Sequence, residues 1–414
     1  FFILQNMKRL FFQNRLAVIA LFACCLMVFT SMGVRQTFGM FFTCFEEDLN
    51  ATRTSFGLAI AIQAIVWGIA AFFIGILVDR FGAARVSIFA ILLYATGIYA
   101  LSGPDRSEYA LILNLGILVG IGMAGGGAQT AVSAASKYFP NENRSKVAGI
   151  ITACGSLGMF IYPILSEFLF RITTWQNTYK VFTVLLLFAA AVSLLIKLPK
   201  EENNNEVKKV EKKQSAFQAL QEALKHKGYI FLVCGFFVCG FQITLIATHI
   251  PGYIAERGLE DWNATAILSL IGLFNIFGTL TMGYLGDKYS KKILLSGLYF
   301  LRAITIILFL FLPTSSVVAI GFGICFGFLW LATIPATNGI VAQIFGTKHL
   351  AMLFGLVFLS HQVGGFLGAF TGGYFFDQYG SYDYAWYISI ALSIFATLMH
   401  LPIDERPLKR LSTV

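Results

Sequence analysis

Apolar positions along the chain gather into twelve long runs separated by short polar breaks. The runs span roughly 16–45, 54–78, 86–102, 109–136, 147–170, 177–198, 228–254, 263–286, 292–312, 316–345, 350–376 and 382–402. Most are near or above the roughly 20 apolar residues that a helix needs to cross a bilayer. Within a bilayer every backbone polar group must be paired inside the segment, which leaves helices or closed barrels. The alternating ten-residue pattern of barrel strands is absent, so the pattern predicts an all-α membrane protein with 12 transmembrane helices. One polar stretch, about 199–227, divides the series into six runs and six. Its first part is rich in Glu, Asn and Lys and reads as solvated. Its second part carries Phe217, Leu220 and Leu224 at helical spacing and predicts a short amphipathic helix on the membrane surface. The domain reading is therefore 1–198 as an N-terminal six-helix bundle, 199–227 as a cytoplasmic linker, and 228–414 as a C-terminal six-helix bundle.

Composition excludes several function classes. The chain has 414 residues, 57% hydrophobic and 12% charged, with a mean hydropathy of +0.75. A soluble protein carries about twice that charged fraction, and a surface this apolar cannot face water on all sides. A soluble enzyme, a nucleic-acid binder and a disordered scaffold are excluded. The net charge of +9 comes from 30 Lys and Arg against 21 Asp and Glu. Twenty-three of those bases fall on the side of the N-terminus and five on the other, with Arg35 and Arg302 inside runs. By the positive-inside rule both termini are cytoplasmic, and the helix count is even. Short loops and a simple plan suggest the plasma membrane of a bacterium, its inner membrane. Seven cysteines, with no C-x-x-C, read as small buried hydrophobes rather than a redox or metal set. No phosphate-cradling loop, metal-ligand cluster or nucleophile constellation is present, so no cofactor or metal is expected.

An internal repeat marks the two halves. After the second run stand Gly75, Asp79, Arg80, Gly82 and Arg85; after the eighth stand Gly283, Asp287, Lys288, Lys291 and Lys292. The small residue permits close approach of the helix end to a neighbour. The acid four residues later can bond to neighbouring N–H groups or a helix N-terminus. This pattern resembles the signature of the major facilitator superfamily, and the likeness covers the whole chain. It implies two pseudo-symmetric six-helix bundles, a substrate held between them near the midplane, and alternating access by rocking. In such proteins the loop acid, here Asp79, helps hold the cytoplasmic side closed. The likeness implies gating roles for Gly75, Asp79, Arg80, Gly82, Arg85, Gly283, Asp287 and Lys288.

A narrower likeness rests on Gly33-Val-Arg35-Gln36 with Gly39 in the first run, and on Gly364 to Tyr382 around the eleventh. These resemble the monocarboxylate-porter and oxalate/formate-antiporter branch, whose members move small organic anions, often with a proton. Relatives commonly place an Arg on the eighth helix; here that helix has only Asn275, and the fourth carries Asn114.

A charge at mid-membrane costs several kcal/mol on insertion scales, so each needs a reason. Arg35 lies about 28 Å along the first run from Leu16. A fixed guanidinium offers paired donors to a carboxylate. His361 precedes Gly364, Gly365 and Gly368 on one face and is the residue type that changes charge near neutral pH. Gln242 and His249 are seven apart and share a face. Arg302 reads as a structural residue bonded to neighbouring helices, with a second anchor as the alternative. Gln129, Tyr162, Asn275 and Asn338 complete the candidate substrate-binding set, with polar glue between helices as the competing role. Proton coupling falls to His361 or His249. No Asp or Glu lies deep inside a run, which disfavours a cationic substrate.

The reading is a secondary transporter of a small organic anion, monocarboxylate-like, driven by a proton or by a counter-anion. The expected partners are that anion, the proton or counter-anion, and the lipid bilayer, with no nucleic acid. The expected state is a monomer. The rivals are an efflux porter for amphipathic compounds and a non-transporting nutrient receptor on the same fold.

Overall fold

The computed structural model describes residues 15–49, 51–103, 107–140, 143–196 and 215–408. Twelve long helices fill them, with no strand among the described residues. They are α1 (Arg15–Gln36), α2 (Arg53–Phe81), α3 (Ala83–Leu101), α4 (Glu108–Ser136), α5 (Arg144–Ile172) and α6 (Trp175–Ser193). The second six are α7 (Lys227–Glu256), α8 (Trp262–Lys288), α9 (Lys291–Phe311), α10 (Ser316–Phe345), α11 (Leu350–Tyr379) and α12 (Asp383–His400). Ten of them are long and apolar enough to cross a membrane. The other two, α6 and α12, close their sets of six, and α6 carries the polar Gln176, Asn177 and Lys180 in its first two turns.

The chain divides into two compact units. One comprises Phe1–Ala51 with Ile62–Lys200; the other comprises Thr52–Ala61 with Glu201–Val414. The same pairs of helices pack in each. In the first unit α1 meets α5, where a Cβ at Gly158 would strike the Phe29 backbone. In the second unit α7 meets α11, and a Cβ at Gly240, Gly364 or Gly368 would strike the facing backbone. The second helix of each set meets the fourth through Gly120 against Val66 and through Gly323 and Gly327 against Ile267 and Ile271. The third packs on the sixth in both units. Lipid supplies no hydrophobic drive between helices, so small residues that bring backbones into contact carry the association.

The first run does not continue as one helix to residue 45. Thr37 turns its hydroxyl back to the Val34 carbonyl at 2.8 Å, and a 3₁₀ turn, Phe38–Phe41, follows. A further helix, Phe42–Leu49, continues from it. Phe41 stacks on Tyr179 at 3.9 Å and Phe45 packs edge-on to Trp175, which ties this segment to α6. Of the expected linker, 199–214 lies outside the described residues. Its second part is the helix Ala216–Lys225, closed at its start by a reciprocal Ser215–Gln218 capping box. Ala219 and Ala223 are buried, and Phe217 and Leu224 are exposed.

Candidate functional site

In the first unit the charged group is Arg35, in the last turn of α1. It is half-buried, and its guanidinium lies over the Trp67 ring of α2 at 5.3 Å. Tyr94 of α3 stands beside it and donates its hydroxyl to the Ser31 carbonyl at 3.1 Å. No salt bridge to Arg35 forms among the described residues. A cation on an aromatic face keeps its in-plane N–H donors directed outward, available to an anion.

The neighbouring α4 is irregular twice. Across Ile112–Leu118 the backbone takes the wider π-type turn, and Gln63 of α2 donates to the Leu115 carbonyl there at 2.8 Å. Such π segments release carbonyls that need outside donors. At Gly127 the backbone is extended and the helix restarts at Ala128. Ser31 donates to the Gly126 carbonyl at 2.9 Å and Thr130 to that of Ala124 at 3.2 Å. These bonds provide the pairing that irregular backbone at membrane depth requires. Gln129, just after the break, is exposed. Tyr162 is buried, with its ring covering Gly33 and edge-on to Phe29.

In the second unit the buried charge is Arg302 on α9, and it is a backbone cap. The helix α10 breaks between Leu329 and Thr333. Arg302 donates to the Leu329 carbonyl at 2.8 Å and to the Trp330 carbonyl. Those are the ends of the first half-helix, where the macrodipole is negative. Asn275 of α8 serves the other side of the break: its Oδ1 accepts the Leu331 N–H at 2.9 Å. The structural role read for Arg302 therefore has a specific content, a cation capping a broken helix.

Gln242 belongs to the same network. Its Oε1 accepts from Arg302 at 3.2 Å, and its amide nitrogen donates to Ser389 and Ser393 of α12. Both ends of the amide are thus engaged inside the protein. His361 is buried between the rings of Phe236 and Phe358, with Nδ1 at 3.0 Å from Gln362 Oε1. His249 places Nε2 at 2.7 Å from the Ala369 carbonyl, and its ring fills the space left by Gly372. Asn338 is exposed on the second half of α10.

The repeated turns are built differently. Gly82 has φ of 86°, a left-handed conformation that glycine adopts without strain. At the matching place Ser290 has φ of −59° and bonds Glu405 at 2.7 Å, while Glu405 also accepts the Lys292 N–H. A Cβ at Gly75 or Gly283 would meet nothing within 4 Å. Arg80 rests over its neighbour Phe81, Arg85 and Asp287 are exposed, and Lys288 bonds Tyr284. The Asp79 side chain lies outside what the structure describes.

Sequence reasoning did not join Arg53 at the start of α2 to Asp377 near the end of α11 and Tyr382 just beyond it. Arg53 lies 3.5 Å over the Phe376 ring and donates to the Tyr382 hydroxyl at 2.6 Å. Asp377 accepts the backbone N–H groups of Arg53 and Thr54. Arg53 and Asp377 stand 324 residues apart, so nothing along the sequence pairs them.

The model of the Major Facilitator Superfamily matches residues 24–338 and 267–414. An uncharacterized MFS-type transporter, YcxA, of Bacillus subtilis (strain 168) is 26% identical over 84% of this chain and 85% of its own. Monocarboxylate transporter 12 of Xenopus laevis is 25% identical over 74% of this chain and 71% of its own. A solved bacterial homolog of the human lysosomal transporter Spinster superposes with a TM-score of 0.74 at 16% identity, covering 94% of this chain and 95% of that one.

Proposed function

We propose, from the premise that the chain belongs to the major facilitator superfamily, that it carries a small organic anion of the monocarboxylate class across the plasma membrane. Alternating access moves the anion, coupled to a proton or to exchange for a counter-anion. The observation that carries the reading is Arg35, a half-buried guanidinium set over Trp67 with no salt bridge among the described residues. A cation at membrane depth is costly, and an anionic cargo supplies its missing counter-charge. The likeness to a monocarboxylate transporter supports the same substrate class.

On this reading Arg35 orients the carboxylate and the exposed Gln129 of the same unit adds a polar contact, while Asn338 is the exposed polar candidate of the second unit. Gln242, Asn275 and Tyr162 shape the protein around the substrate, because their polar groups or faces are already engaged. A proton travels with the carboxylate or on His361, and Asp79 and its turn hold the cytoplasmic side closed. Both termini then face the cytoplasm.

The test is uptake into proteoliposomes of labelled lactate, pyruvate, formate and oxalate, with and without an acid-outside pH gradient. Gradient-driven accumulation of one acid establishes symport. Uptake only against preloaded anion establishes exchange. No flux of any acid, or wild-type flux in Arg35→Gln, overturns the proposal.

A further inference from the structure

The seam between α1 and α5 holds two thiols at one level. The two helices run in the same direction, with their backbones in contact. Gly158 faces Phe29, and the Tyr162 ring covers Gly33. The offset is 129 residues in both cases. Carried one turn down, the same offset sets Cys154 beside Cys25. The two side chains stand close enough to influence one another, as that register requires. Both are free thiols and both are partly accessible, whereas the adjacent Cys24 is buried. Cys25 lies ten residues after Arg15, about 15 Å along the helix and well inside the span.

We propose that Cys25 and Cys154 form a dithiol site that binds one soft, two-coordinate dication of the mercury(II) class. Thiolate sulfur selects soft metals. Two ligands on facing helices cannot complete the four-coordinate shell that zinc prefers. A two-coordinate ion needs nothing more. Binding breaks both S–H bonds and forms two metal–sulfur bonds, and two protons leave to water. No electron is transferred. The product carries no net charge, because two thiolates neutralise the dication. That neutrality matters at this depth, where an uncompensated charge is expensive. The bound ion pins α1 to α5 below Arg35. The site is independent of the substrate reading and stands or falls without it.

The experiment uses the purified full-length protein loaded with mercuric chloride and dialysed against excess 2-mercaptoethanol. A monothiol strips an ion held by one cysteine. It competes poorly with two cysteines held at high effective concentration, which retain the ion about 100-fold more tightly. The expected result is one mercury retained per wild-type chain, and none in Cys25→Ser or Cys154→Ser. Cys25→Ala and Cys154→Ala repeat the test with apolar replacements. Cys24→Ser and Cys44→Ser retain the ion as wild type does. The proposal is overturned if the wild-type chain retains no mercury, or if either Cys25 or Cys154 can be replaced without loss of the retained ion.

Discussion

The backbone N–H of Thr54 donates to the Asp377 carboxylate at 2.7 Å, so the last turns of α11 cap the first turn of α2. The Arg53 N–H reaches the other carboxylate oxygen at 3.3 Å. A helix leaves its first four N–H groups without internal partners, and its N-terminus attracts negative charge. Asp377 meets both needs from a distant part of the chain. Replacing Asp377 with Ala should therefore lower stability by about 1 kcal/mol, the usual loss on removing a cap. Asp377→Asn should recover part of that, since one oxygen still accepts but the charge is gone. Thermal unfolding in detergent reads both. Equal melting of Asp377→Ala and wild type would show that the cap contributes nothing.

Arg302 makes a stronger claim on stability. Arg302→Met keeps the bulk but leaves the Leu329 and Trp330 carbonyls without their donor, in a fully buried place. Each unpaired carbonyl costs about 1–3 kcal/mol. Because Gln242 accepts from the same guanidinium, the losses of Gln242→Leu and Arg302→Met should not add. A double-mutant cycle by thermal unfolding should give a coupling above the roughly 0.5 kcal/mol scatter of independent sites. Additive losses would separate the two residues.

These contacts show what the sequence carries and what it does not. Hydropathy placed all twelve helices, because the bilayer demands long apolar segments and little else. It did not place the breaks at Thr37, Gly127 and Trp330. Nothing in an apolar run announces that its ladder stops; Ser31, Asn275 and Arg302 receive the freed groups from other helices. Likewise Gln242 looked like a ligand-facing polar residue. Its partners on α9 and α12 lie 60 and 147 residues away, a distance that periodicity cannot bridge. Arg35 was legible because a lone charge in an apolar run has few ways to be tolerated. Trp67 beneath it needed the fold.

The two basic turns should differ in what a change at their glycine or serine costs. Gly82→Ala forces a Cβ into a left-handed conformation, at about 1–2 kcal/mol. Ser290→Gly needs no change of backbone sign and loses only the hydroxyl bond to Glu405. Thermal unfolding should therefore show Gly82→Ala as the more damaging. The reverse order would mean that Glu405, not the backbone, holds its turn together.

The anchor itself can be dissected by conservative change. Arg35→Lys keeps the charge but replaces a planar fork with a point charge. Arg and carboxylate bind through two parallel N–H···O bonds, and Lys forms no such pair. If Arg35 orients the cargo, Arg35→Lys should retain uptake with KM raised about tenfold, and Arg35→Gln should abolish it. Trp67→Leu removes the ring beneath the guanidinium and should raise KM while leaving the fold intact, since Trp67 is only half-buried. Initial rates in proteoliposomes across an acid series separate the two effects. A Lys variant indistinguishable from Gln would mean that geometry matters more than charge. Wild-type KM in both would leave Arg35 and Trp67 a packing pair alone.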